Sequence, residues 1–376
     1  MEFSSFSNRT NIKPKKIWLD ASTVCQLKCR SCPTATGEIG KKLGKGFLQF
    51  KDFKEIVDKN PQIHSIELSN WGEIFLNKEL PEIIKYAYMH NVALNAVNGV
   101  NLNNADENVL EALVKYKFRQ ITCAIDGASQ KTYSVYRVNG NFDQVIENIK
   151  TINRFKNKYN SFFPVLKWQF IIFGHNENEI GEARKMARNL NMIFNLKLNW
   201  NDLYVESFSP IKNAELVRKE SGLGVATREE FRQKYGRDYC NQCLRMWTEP
   251  QINYDGRFLG CDVNYWGGDY GNILEDGLYE CINSEKMNYA REMLMGKVEE
   301  RDDIPCIHCK NFGWKKETKT WVTNKDIKYV IMESRKLVMI ENKLFEYKLI
   351  NKIAEKMLTA RQWLKQKKIW WNKKKR

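Results

Sequence analysis

Histidine is scarce in this chain, four of 376 residues, and no uninterrupted run of about 18 apolar residues exists. The second absence leaves nothing that spans a bilayer as a helix. The N-terminal stretch MEFSSFSNRTNIKPKKIW also lacks the apolar core of a secretory signal, so the expected location is cytoplasmic. A reducing compartment keeps thiols free, and ten cysteines there point to metal ligation or redox chemistry rather than disulfides. What is present is enough to fold: 43% hydrophobic, 12% aromatic and 28% charged residues exclude both disorder and a mini-protein.

Acidic residues are in deficit, and the deficit is local. Lys plus Arg number 61 against 45 Asp plus Glu, a net charge of +16. Residues 325–376 hold sixteen basic and five acidic side chains, +11 of that total, which leaves +5 for residues 1–324. A diffuse nucleic-acid-binding surface is thereby disfavoured, whereas a basic appendage that meets phosphate or anionic lipid is not.

Short β-branched or aliphatic runs recur at Ile17 to Ala21, Ser65 to Ser69, Ala93 to Val97, Gln120 to Ile125, Leu166 to Phe173 and Asn195 to Asn199. Between them, apolar positions at helical spacing mark Phe50 to Lys59, Leu80 to His90, Ala105 to Lys115, Phe142 to Lys158 and Glu177 to Asn189. Strands alternating with helices predict a parallel α/β sheet, and six units predict a partial (β/α)6 barrel, TIM-like but too short for eight-fold closure. Chemistry in such folds gathers at the C-terminal ends of the strands. The expected division is an N-terminal arm (1–15), the barrel (16–205), a polar connecting region (206–237), a small cysteine-rich module (238–316) and a basic amphipathic helical tail (324–376). The module has few aliphatics, so a metal centre is expected to order it.

Cys25, Cys29 and Cys32 form C-x3-C-x2-C directly after the first predicted strand. Three thiolates can converge on one centre and leave a coordination position open, since a closed site needs four ligands. A zinc site completed by histidine is the competing reading, but no histidine lies within thirty residues. The second set, Cys240, Cys243, Cys261, Cys306 and Cys309, includes INYDGRFLGC, which reads as a hairpin with Asp255-Gly256 as its turn. Its spacing suits zinc as well as iron. Cys123 and Cys281 read as ordinary buried cysteines.

The triad resembles the signature of the radical S-adenosylmethionine (radical SAM) superfamily. That resemblance implies a [4Fe-4S] cluster on Cys25, Cys29 and Cys32 whose fourth iron chelates S-adenosylmethionine (SAM). Asn70-Trp71-Gly72-Glu73 is similar to the GGEP-type motif that meets the SAM amino group, which implies roles for Gly72 and Glu73. Asn98-Gly99 is similar to the TNG turn. Asp126-Gly127 with Arg137 is similar to the SxDG…R segment whose arginine approaches the SAM carboxylate, and FGHNENEI with Asn176 is similar to the segment after strand five. Two positions depart from the pattern: Ser31 stands where an aromatic often packs near the adenine, and Ala124 stands where the serine of SxDG stands. The second cysteine set resembles the SPASM and twitch auxiliary modules. The count implies one auxiliary [4Fe-4S] cluster on Cys243, Cys261, Cys306 and Cys309, with Cys240 a spare or alternate ligand.

The resemblance further implies an oxidoreductase-like enzyme that generates a 5′-deoxyadenosyl radical, with a reducing partner such as flavodoxin or ferredoxin. Asn70, Gln169, Asn199, Asn201 and Asp202, polar residues near strand ends, suit a polar small molecule or glycan, oxidised or epimerised. The alternatives are a peptide- or protein-modifying enzyme with a separate recognition partner and, in another class, a non-enzymatic zinc and nucleic-acid-binding protein. Leu337, Ile340, Leu344, Tyr347, Ala354 and Leu358 follow a near-heptad stripe. Trp363, Leu364, Ile369, Trp370 and Trp371 among lysines read as an interfacial anchor at the inner face of the membrane, which suits a lipid-linked glycan; RNA contact is the competing reading.

Overall fold

The computed structural model describes residues 11–199, 208–240, 242–266 and 268–333. Six parallel strands run in chain order across one sheet: β1 (Lys16–Leu19), β2 (Ser65–Glu67), β3 (Ala93–Val100), β4 (Gln120–Ala124), β5 (Val165–Ile172) and β6 (Ile193–Leu198). Each lies within a few residues of its predicted position. Helices α1 (Glu38–Lys42), α2 (Phe50–Lys59), α3 (Leu80–Met89), α4 (Glu107–Lys115), α5 (Gln130–Tyr136), α6 (Phe142–Lys158) and α7 (Ile180–Asn189) lie in the connections. The sequential order with a helix in each crossover is the partial (β/α)6 arrangement expected. The short helices α1 and α5 are additions: α5 reads as polar in sequence, and its start is set by the Ser129 side chain accepting from Thr132 N.

Strand alternation divides the sheet into an apolar face and a polar one. Ile17, Leu19, Ile66, Leu68, Leu94, Ala96, Ile121, Cys123, Trp168, Phe170 and Ile172 are buried in the main core with the helices. The positions between them carry Trp18, Asp20, Ser65, Glu67, Asn95, Thr122, Gln169, Asn195 and Lys197. A lumen walled by polar side chains needs partners for them, and many are supplied internally. Glu67 accepts from Ser69 Oγ at 2.6 Å and Val97 N at 2.8 Å, and Gln251 Nε2 donates to Asp20 at 2.8 Å.

The predicted hairpin is present as β7 (Gln251–Ile252) and β8 (Phe258–Gly260), antiparallel to each other. Its first strand also pairs in parallel with β1, at Trp18↔Gln251 and Leu19↔Ile252, so the cysteine-rich module extends the barrel sheet. The polar connecting region holds two helices, Ala214–Glu220 and Arg228–Tyr235, each capped by a side chain, Asn213 and Thr227. Residues 324–333 are helical; the near-heptad stripe and the Trp-Lys terminus lie outside the described residues. Among the described residues no helix is long and apolar enough to cross a membrane.

Candidate active site

A cavity of about 170 Å³ opens where the strands end, and the residues singled out by motif meet in its wall. Cys25, Cys29 and Cys32 line it together with Gly72, Glu73, Asn98, Gly99 and Arg137. The cysteine loop is folded by Cys32 N donating to Cys29 O at 3.1 Å and is tied across the barrel by Lys28 N donating to Val138 O at 3.0 Å. Leu27, Tyr136, Ile171 and Phe173 form an apolar cluster around it, with Cys29 buried and the other two thiols half-buried. Burial pushes the Cys25 thiol up to about 12, helped by the Glu73 carboxylate, and Cys29 up to about 11 against the pull of Arg137. Such thiols ionise readily only when a metal replaces the proton.

Polar side chains reach the sulfurs, and Cys25 Sγ itself donates to Gln26 Oε1 at 3.8 Å. Arg137 Nη1 donates to Cys29 Sγ at 3.5 Å and Asn101 Nδ2 to Cys25 Sγ at 3.6 Å. Arg137 is held by Asp126, Nε to Oδ2 at 2.6 Å, and Asp126 is itself fixed by Ile171 N at 2.7 Å. Asn176 braces the same strand end by donating to the carbonyls of Asp126 and Ile171, both at 2.9 Å. Glu73 is almost fully buried, accepts from Asn101 N at 2.6 Å and Phe75 N at 3.3 Å, and burial lifts its carboxyl to about 7. Gly72 must be glycine for space: a Cβ there would stand 2.3 Å from the Ser22 carbonyl oxygen. Asn98 Nδ2 donates to Asn70 Oδ1 at 3.0 Å, and Asn70 Nδ2 to the Asp262 carbonyl at 3.0 Å, so the C-terminal end of β3, which holds Asn98 and Gly99, is linked to the cysteine-rich module.

The departure at Ser31 has a local answer. Tyr136, from α5, lines the cavity and accepts from Ser31 Oγ at 3.3 Å, with its ring 4.6 Å from that of Phe173. An aromatic therefore stands beside the cysteine loop, supplied by another element. Ala124 also lines the cavity.

Of the polar strand-end residues, Asn70 and Gln169 line the cavity. Asn199 instead donates to Ile172 O at 3.2 Å, and Asn201 and Asp202 lie outside the described residues. Sequence reasoning missed Asn101, Lys197, Gln242 and Asp262, all of which line it. For Lys197 a signal existed: β6 reads Ile-Phe-Asn-Leu-Lys-Leu, and its period of two puts Asn195 and Lys197 on one face.

The second cysteine set meets in a separate small cavity of about 20 Å³ lined by Cys243, Cys261, Cys306 and Cys309 among Met246, Leu259, Tyr270 and Phe312. Cys240 is exposed and does not line it; Cys123 and Cys281 line neither cavity. Burial raises all four thiols, Cys306 to about 12. Among the described residues no three His, Cys, Asp or Glu side chains are drawn together as around a single ion.

The fold is shared with solved structures that bind S-adenosylmethionine. SuiB of Streptococcus suis, solved bound to S-adenosylmethionine, superposes with a TM-score of 0.57 at 13% identity, over 80% of this chain and 71% of that one. Native anSMEcpe with bound AdoMet superposes with a TM-score of 0.55 at 14% identity, over 88% and 100% of the two chains. No family model and no curated protein matches the sequence.

Proposed function

We propose that the chain is a radical SAM enzyme acting on a polar small molecule or glycan, which it oxidises or epimerises. The observation that carries the reading is the meeting of Cys25, Cys29 and Cys32 with Gly72, Glu73, Asn98 and Arg137 around one cavity at the strand ends. When bound, a reduced [4Fe-4S] cluster supplies one electron that cleaves SAM to methionine and a 5′-deoxyadenosyl radical, which takes a hydrogen atom from a substrate C–H bond. The chain's own residues hold and shield. The three thiolates would hold the cluster, and Arg137, which donates to Cys29 Sγ, would offset their negative charge. By the motif resemblance Gly72 and Glu73 would meet the SAM amino group, Arg137 its carboxylate, and Asn98 would also contact SAM, while Leu27, Tyr136, Ile171 and Phe173 would keep water from the loop. The polar lumen supports a hydroxyl-rich substrate.

Cys243, Cys261, Cys306 and Cys309 are proposed to hold one auxiliary [4Fe-4S] cluster, which supplies a one-electron acceptor and so favours net oxidation. A flavodoxin or ferredoxin is the proposed electron donor. The basic tail, 324–376, is proposed to contact anionic membrane from the cytoplasmic side, as a lipid-linked glycan substrate would require; liposome flotation unchanged by removal of residues 359–376 would exclude that. Anaerobic reconstitution tests the whole reading. About eight iron per chain, with a reduced-cluster electron paramagnetic resonance (EPR) signal that changes on adding SAM, is expected; zinc without iron would overturn it.

A further inference from the structure

Among the described residues Lys197 makes no hydrogen bond and no ion pair, yet it lines the cavity that holds the cysteine triad. Its place is set by β6, where it lies level with Ile171 in the pairing with β5, just as Asn195 lies level with Gln169. Gln169, Ile171 and Lys197 therefore form one patch of cavity wall. Gln169 is 3% exposed, and its Oε1 is buried without a partner. The nearby acids are already engaged: Asp126 with Arg137 at 2.6 Å and Asp262 with Arg245 at 3.0 Å. The other charged or ionisable groups acting on Lys197 are Cys240, Arg228 and Arg245. A cation with no counter-ion among the described residues, beside an orphaned amide oxygen, is a half-built site.

We infer that Lys197 and Gln169 form the substrate subsite for an anionic group, Lys197 seating a carboxylate or phosphate and Gln169 accepting from an adjacent hydroxyl or amino donor. The substrate is then a hydroxylated acid or a phosphorylated polyol rather than a neutral sugar. This deepens the proposed function and rests on it, because only a substrate brought to the radical has reason to enter this cavity. Burial pushes the Lys197 ammonium down to about 8, which agrees with a cation awaiting its anion and also supplies a handle for measurement.

At pH 8 about half of Lys197 is neutral and nucleophilic, against about 0.4% for a lysine at its ordinary value. Acetic anhydride labelling of the anaerobically reconstituted full chain, mapped by peptide mass spectrometry, should acetylate Lys197 at least tenfold faster than exposed lysines such as Lys51. Millimolar inorganic phosphate or acetate should slow that labelling fivefold or more, relative to chloride at equal ionic strength, and SAM alone should not. Protection by phosphate but not acetate would specify a phosphate ester, and the converse a carboxylic acid. Protection by neither, or full protection by SAM alone, overturns the assignment, the latter because Lys197 would then belong to the cofactor. Reductant-dependent 5′-deoxyadenosine release by the same preparation is scored separately. Release without anion protection overturns only the subsite; protection without release keeps the subsite and overturns the radical reading.

Discussion

Removing Arg137 should destabilise the chain more than removing Arg137 and the charge of Asp126 together. The two side chains meet at 2.6 Å, with Asp126 fully buried and Arg137 13% exposed. The guanidinium charge is centred beyond Nε, so the charges lie roughly 4 Å apart, and at an effective dielectric of about 20 they attract by about 4 kcal/mol. Arg137→Leu strands a buried carboxylate whose other donor is Ile171 N, and the expected cost is about 3–5 kcal/mol. In Asp126→Asn/Arg137→Leu no charge is left unpaired, so a double-mutant cycle should show at least about 1 kcal/mol of compensating coupling. Guanidinium unfolding of the iron-free chains measures this without any contribution from Arg137 contacting a ligated Cys29. A cost below about 1 kcal/mol for Arg137→Leu, or additivity of the two changes, would refute the argument that this pair clamps the strand ends.

Gly72→Ala forces a Cβ into the Ser22 carbonyl, so the Gly72–Glu73 turn must move; SAM affinity should fall at least tenfold, read from the EPR change on titration, while iron content stays that of the parent. Glu73 has a folded pKa of about 7, above its ordinary 4.5, so its stabilising effect is complete below about 4.5 and is lost as pH rises through 7. Relative to Glu73→Gln, the iron-free parent should lose up to about 3 kcal/mol between pH 4.5 and 8, and parallel stability curves would count against the buried ionisable carboxyl. Cys243→Ala or Cys306→Ala should lower iron from about eight to about four per chain, whereas Cys240→Ala should leave it unchanged. Equal losses for Cys240→Ala and Cys243→Ala would show that the cavity lining misidentifies the ligands.

The barrel was legible because both periods in the sequence are clean. Val145, Ile149 and Ile152 keep a helical stripe fully buried in α6, and alternation in β5 separates Trp168, Phe170 and Ile172 from Gln169 and Ile171. Most of the motif residues were legible because they lie at strand ends or in the short segments that follow them, which carry their own signals; Arg137 instead follows α5, as its C-cap. The parallel pairing of β7 with β1 was not, since a two-residue strand over 230 residues away leaves no local trace. Nor was the wall formed by Lys197, Gln242 and Asp262, which is assembled from three segments by tertiary packing. Tyr136 shows the same limit from the other side. The motif position before Cys32 holds a serine, and only the fold reveals that α5 brings an aromatic there.

The most direct test is reductive SAM cleavage by the anaerobically reconstituted chain, with 5′-deoxyadenosine quantified by liquid chromatography. The expected result is dithionite-dependent release that is abolished in Cys25→Ala, Cys29→Ala and Cys32→Ala. No release from a parent chain shown to hold its iron, or equal release from a triad variant, would contradict it.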